Sequence, residues 1–165
     1  MRLFAAVSLS PAVCDSLEEQ IAVLRSQGSG TFTRPENLHL TLAFIGETDR
    51  AEEAASALRR AAVGGSFPMV VEGLGCFDDL WWAGIRENPA LERLALNVQA
   101  CLREAGFSIE ERPWSPHITL VRRWHGEQPQ TDISPVSMRV QAVSLMESER
   151  LDGKLIYTEI DRFEL

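Results

Sequence analysis

Little in this chain of 165 residues points to metal, disulfide or membrane chemistry. It has three cysteines, Cys14, Cys76 and Cys101, without Cys-x-x-Cys spacing. An odd, scattered set cannot pair completely, and their apolar contexts read as buried thiols in a reducing, cytoplasmic compartment. No run approaches the about 20 consecutive apolar residues of a membrane span, so no membrane partner is expected. The apolar start from Met1 to Val7 ends at Ser8 and leads through Pro11 into an acidic helix, which reads as a buried strand and not a leader. There is no Walker A sequence, no Gly-x-Gly-x-x-Gly and no Gly-x-Ser-x-Gly, so the common nucleotide-loop and serine-hydrolase readings fall away. Positive charge is in short supply: the net charge of −8 argues against coating long nucleic acid, which rests on phosphate neutralisation by Lys and Arg. A small phosphate ligand in a local basic pocket stays open.

Histidine is scarce too, with three copies, yet two of them sit in the same signature: His39-Leu40-Thr41-Leu42 and His117-Ile118-Thr119-Leu120. At the offset of 78 between them, residues 3–42 align without a gap with residues 81–120, and 12 of the 40 positions are identical. Chance would give about two or three. The length suits one domain, residues 1–165, whose two halves each supply half a site.

Each copy reads strand, helix, strand. Leu3–Leu9 and Trp81–Ile85 are strand-like, and Ser10-Pro11 and Asn88-Pro89 are N-cap and first-turn pairs. Val13, Leu17, Ile21 and Leu24 form one apolar stripe, and Leu91, Leu94, Val98 and Leu102 form its counterpart. Gly28 and Gly106 fall where left-handed C-caps are expected. Arg34-Pro35 and Arg112-Pro113 turn into the signature strands, where period 2 places His and Thr on one face and the apolar residues on the other. Between the copies the pattern predicts a helix over 51–62 and a strand over 67–76. After them it predicts a loop over 124–134, strands over 136–146 and 155–163, and a hairpin turn at Asp152-Gly153.

Two opposed imidazoles are what in-line displacement at phosphorus needs, one as base and one as acid. What recurs beside them is Thr and Arg, which donate to phosphate, and no Asp, Glu or Cys recurs as a metal ligand. No metal and no cofactor are therefore expected. Arg122 is a phosphate candidate although its odd spacing from His117 needs a twist or bulge to bring it to the His face. Arg34 and Arg112 either bind phosphate or support their turns. Phe4 and Trp82, equivalent under the repeat, are either core or a stacking surface. His125 has no partner at the offset and reads as surface, and the pairs Glu18-Glu19, Asp78-Asp79 and Glu110-Glu111 read as solvated faces.

These residues resemble the two-histidine (2H) phosphoesterases, and among them the bacterial and archaeal RNA 2′,3′-cyclic phosphodiesterases, also called 2′-5′ RNA ligases. The likeness runs through Arg2-Leu3-Phe4-Ala5-Ala6, Pro35 to Gly46, Pro116 to Arg122, and Ser148, Gly153 and Tyr157. Phe32 stands where that pattern has Trp, and Trp114 where it has Phe. The resemblance implies an α+β bilobal fold, two pseudo-symmetric lobes whose antiparallel sheets flank a central cleft with helices outside. It implies metal-independent opening of an RNA-terminal 2′,3′-cyclic phosphate to a 2′-phosphomonoester, and a reversible 2′-5′ ligase reaction. Carried over, His39 and His117 are the catalytic pair, and Thr41, Thr119, Arg122 and Phe4 contact substrate. The implied partners are RNA with a 2′,3′-cyclic phosphate end, tRNA fragments among them, or small cyclic nucleotides, met by a monomer. Two rivals share these residues: another 2H activity, on ADP-ribose cyclic phosphate or 2′-5′ oligonucleotides, and a non-catalytic binder of RNA 3′ ends.

Overall fold

The computed structural model describes residues 1–165. In chain order the elements are β1 (Arg2–Ser8), α1 (Pro11–Gln27), β2 (Ser29–Phe32), a 3-10 turn (Pro35–Asn37), β3 (His39–Glu47), α2 (Ala51–Ala61), β4 (Phe67–Phe77), β5 (Leu80–Ile85), α3 (Pro89–Glu104), β6 (Ile118–His125), β7 (Val136–Val140), β8 (Ala142–Leu151) and β9 (Lys154–Glu164). They form an α+β architecture of two antiparallel sheets, ordered β3-β1-β8-β9 and β2-β6-β5-β4-β7. The repeat accounts for part of this likeness, since it covers β1, β5 and the starts of β3 and β6 but not β4, β7, β8 or β9. If β1 corresponds to β5 and β3 to β6, the two orders match strand for strand, with β2 added outside β6.

Helix packing crosses between the copies. Helix α1 lies against β2, β6 and β7 of the second sheet, whereas α3 lies against β3 of the first and against α2. Each repeat's helix thus covers mainly the sheet built from the other repeat's strands, so the sequence unit and the lobe are different objects. One continuous cluster of 35 buried residues runs through both lobes.

The helix starts follow the sequence. Ser10 Oγ accepts from the Val13 amide and Asn88 Oδ1 from the Leu91 amide, at 3.3 and 3.1 Å. Both apolar stripes are buried. The helix ends differ: Gly106 has φ of 93°, as a left-handed cap requires, but Gly28 is extended at −171°. Gly28 is needed for space instead, since a Cβ there would lie 2.6 Å from the Trp124 ring and the His125 carbonyl. The Asp152-Gly153 hairpin forms with both residues at positive φ, 51° and 76°, as a two-residue turn of matching twist demands.

Three other expectations are corrected. Strand β6 continues to His125, inside the expected loop, because β2 pairs with it and Trp124 is buried against the core. The expected strand over 136–146 is two strands that break at Gln141 and join different sheets. Asp78-Asp79 is exposed, as expected, and forms the β4–β5 hairpin turn, with Asp78 at φ 53°. Cys76 is exposed near the end of β4, while Cys14 and Cys101 are half-buried, and all three are free thiols.

Candidate active site

Strand alternation places the two signatures. On β3, Leu40 and Leu42 are buried in the core while His39 and Thr41 are half-buried on the opposite face. His117, Ile118, Thr119 and Leu120 repeat that pattern at the start of β6. Each imidazole is held by the backbone two residues earlier. His39 Nδ1 donates to the Asn37 carbonyl at 2.7 Å, and His117 Nδ1 to the Ser115 carbonyl at 2.9 Å. A carbonyl only accepts, so the proton of each neutral ring sits on Nδ1 and leaves Nε2 as the working atom. His39 Nε2 meets the Thr41 hydroxyl at 2.8 Å.

Arg122 reaches this site through a bulge. In the β5–β6 ladder Trp82 faces Thr119 while its neighbour Trp81 faces Val121, so one residue of β6 is extra. Leu120 and Val121 are then both buried, and the alternation shifts, which leaves Arg122 exposed on the His side. Its guanidinium forms no ion pair. The positive charges of Arg122 and His117 both act on His39, so the three groups converge from two lobes. Burial comes first among the causes that push the His39 pKa below the ordinary imidazole value, followed by those two charges, against the opposing bond to Asn37. His39 is therefore held neutral in the free protein.

The other candidates separate. Phe4 is 4% exposed and lies against His39, Phe44 and Tyr157, so it supports the imidazole and presents no free face to a ligand. Trp82 lies across Gly75, where a Cβ would fall 2.1 Å from the ring, and beside His117 and Phe77. Arg34 pairs with Glu36 and Arg112 with Glu110, both within their own turns. Phe32 packs edge-on to Trp124 beneath Arg25 of α1, on the core side of β2. His125 is exposed at the far end of β6. No group of three or more His, Cys, Asp and Glu side chains is disposed to hold a metal ion.

Several supporting residues were not visible as a pattern. Tyr157 stands edge-on to His39 at 5.1 Å, and Phe77 edge-on to His117 at 5.1 Å, so each imidazole has two aromatic neighbours. Thr33, just before the first signature, donates to the Thr119 carbonyl of the second at 2.8 Å. Trp114, just before the second, donates from Nε1 to the Thr41 carbonyl of the first at 3.2 Å. Each signature strand is tied to the approach of the other. The 12 identities mark none of these residues, because the ties are made by unlike residues at unequal positions.

The chain and its fold are similar to known proteins. The 2′-5′ RNA ligase superfamily matches residues 13–152. An RNA 2′,3′-cyclic phosphodiesterase of Thermus thermophilus is 31% identical over 182 residues, covering 100% of this chain and 90% of that protein. One of Geobacillus stearothermophilus is 38% identical over 108 residues, 60% of this chain but 34% of that longer protein. The solved structure of Escherichia coli LigT complexed with 3′-AMP superposes with a TM-score of 0.82 at 28% identity, covering 99% of this chain and 97% of LigT.

Proposed function

This chain belongs to the 2′-5′ RNA ligase superfamily, and we propose that it opens RNA-terminal 2′,3′-cyclic phosphates to 2′-phosphomonoesters with His39 and His117 as paired acid and base. The observation that carries the reading is the matched pair of imidazoles, each with Nδ1 committed to a backbone carbonyl and Nε2 left for chemistry. A binder of phosphate needs positive charge; it does not need two imidazoles held in one tautomer from opposite lobes. The relatives named as RNA 2′,3′-cyclic phosphodiesterases and the 3′-AMP held by LigT support a nucleotide end as substrate. Residues 1–165 work as one domain in this reading, since neither lobe holds both histidines.

In the proposed reaction His117 Nε2 takes a proton from water, whose oxygen attacks phosphorus. The bond from phosphorus to O3′ breaks in line, and His39 Nε2 delivers the proton to O3′. The phosphate remains on O2′. The Thr41 and Thr119 hydroxyls and the Arg122 guanidinium stabilise the charge gathering on the phosphoryl oxygens. Because His39 is neutral in the free protein, its acid role depends on substrate. The anionic phosphate offsets Arg122 and lets Nε2 take up its proton. With a 5′-hydroxyl in place of water, the same displacement joins RNA ends through a 2′-5′ linkage. No step calls for a metal.

The test is turnover of an RNA ending in a 2′,3′-cyclic phosphate, with chelator present and products resolved. We expect undiminished activity in EDTA and a single 2′-phosphate product. His39→Ala and His117→Ala should each lower kcat by about 10²- to 10⁴-fold. The double variant should lose far less than the product of the two, since the groups act as a unit. Near-normal turnover of either single variant overturns the pairing, and activity restored only by zinc or manganese overturns metal independence. A panel with ADP-ribose cyclic phosphate and 2′-5′ oligonucleotides separates the related activities.

A further inference from the structure

Asn37 is one of three buried polar residues, at 6% exposure, with Gln99 and Ser144 the others. Its carbonyl receives the His39 Nδ1 proton, but that contact needs no particular side chain. Ser115 supplies the same contact to His117 at the equivalent position. What the Asn37 side chain adds is long-range. Nδ2 donates to the Leu155 carbonyl at 2.8 Å, 118 positions later, near the start of β9. Two residues further along β9, Tyr157 sets its ring edge-on to His39 at 5.1 Å and meets Phe4 at 5.0 Å. Phe4 in turn lies 5.0 Å from His39. The amide oxygen of Asn37 is buried without a partner. An apolar side chain of similar size would avoid that cost, so stability alone does not favour asparagine here.

From this geometry we propose that Asn37 is a positioning residue: its amide pins β9 so that Tyr157 and Phe4 grip the His39 ring with Nε2 aimed into the cleft. The inference rests on the reading of His39 as the acid of the proposed reaction. It makes the two histidines unequal despite the repeat. Both receive a carbonyl, and only His39 is also braced by the side chain of the residue that supplies it.

Asn37→Ser keeps the carbonyl but is too short to reach Leu155. With a 2′,3′-cyclic nucleotide as substrate, kcat should fall roughly 10- to 100-fold, the scale for a misplaced catalytic group, while KM stays within about threefold. In ¹⁵N-imidazole NMR the His39 Nδ1 proton should broaden while that of His117 stays sharp. Tyr157→Leu leaves the buried amide untouched and should reproduce the loss in kcat, and Tyr157→Phe, which keeps the ring, should run close to wild type. If Asn37→Ser does not fold, the Tyr157 pair decides. Wild-type kcat in Asn37→Ser and Tyr157→Leu beside an inactive His39→Ala overturns the positioning role and leaves the paired-histidine reading standing. Loss confined to KM, or equal broadening of both histidines, also overturns it. An active His39→Ala removes the reaction on which both readings rest.

Discussion

His39 carries the most information of any single residue, because its environment opposes the role proposed for it until substrate arrives. Burial, then Arg122 and His117, hold its pKa below the ordinary imidazole value. The unfolded ring takes a proton near pH 6.5 while the folded ring resists to lower pH. The unfolded state therefore binds more protons in that window, and stability falls as pH drops through it. Melting curves taken downward from neutral pH should show wild type losing more stability than His39→Gln, and saturating inorganic phosphate should shrink the gap. Parallel curves would remove burial as the cause. The roles of the two histidines separate in the variants' pH profiles. With His117 as base, the residual kcat of His39→Ala should rise with pH and level off, since only a deprotonation remains to be met. That of His117→Ala should fall with pH. The opposite pair of slopes would mean that the roles are exchanged. Among the proposed phosphate ligands, Arg122→Ala should cost more kcat than Thr41→Val or Thr119→Val, because only Arg122 would bring a full charge to the transition state.

At the scale of elements, the two edges of β6 do different work, and two glycines distinguish them. Gly75 on β4 gives Trp82 its seat beside His117. Gly28 lets the start of β2 approach Trp124 and His125 at the other end of β6. Gly75→Ala should displace the indole, cost about 1–3 kcal/mol as an overpacked site and lower kcat together with stability. Gly28→Ala should cost at least as much stability, since its Cβ meets a backbone carbonyl, yet leave kcat of the folded fraction near wild type. Thermal melts beside active-site-titrated kcat decide the matter, and equal kcat losses in the two variants would refute the division. The repeat made β1, α1, β3 and their counterparts readable, because capping, apolar period and alternation are local properties. It did not extend to the break at Gln141. There one apolar run serves two sheets, and only strand pairing decides which residues go where.

At the scale of the molecule, two bonds to the signature strands differ in reach: Thr33 extends β2 beside β6 within one sheet, whereas Trp114 donates to Thr41 of the other sheet. Thr33→Val and Trp114→Phe each remove one side-chain donor to the opposite signature strand. Each should cost about 1 kcal/mol. Trp114→Phe should lower kcat more than Thr33→Val, since only the Trp114 bond joins the two sheets. Thermal melts beside kcat of the two variants check this, and equal losses of kcat would refute it. The crossed helices add to the same effect, because α1 and α3 each pack a stripe from one repeat onto the sheet of the other. Separating the two repeats would expose both stripes at once. In Trp114 the departure from the expected Phe has a visible consequence, an indole N–H that a phenyl ring lacks. In Phe32 the departure falls on the core side of β2, away from the histidines.

The sequence by itself determined the pair of histidines, the threonines beside them, the helix caps and the kinship of the two halves. Each is a matter of residue type and spacing along a few turns or strand steps, and duplication wrote them twice. Only the tertiary structure decided that Arg122 faces the cleft, since a bulge opposite Trp81 and Trp82 shifts the alternation. It alone decided that Phe4 is buried under His39, that Phe32 faces the core and that Asn37 reaches Leu155 across 118 positions. Those outcomes depend on which strand lies beside which. Strand neighbours are set by the packing of the whole chain, and no local pattern of residues encodes them.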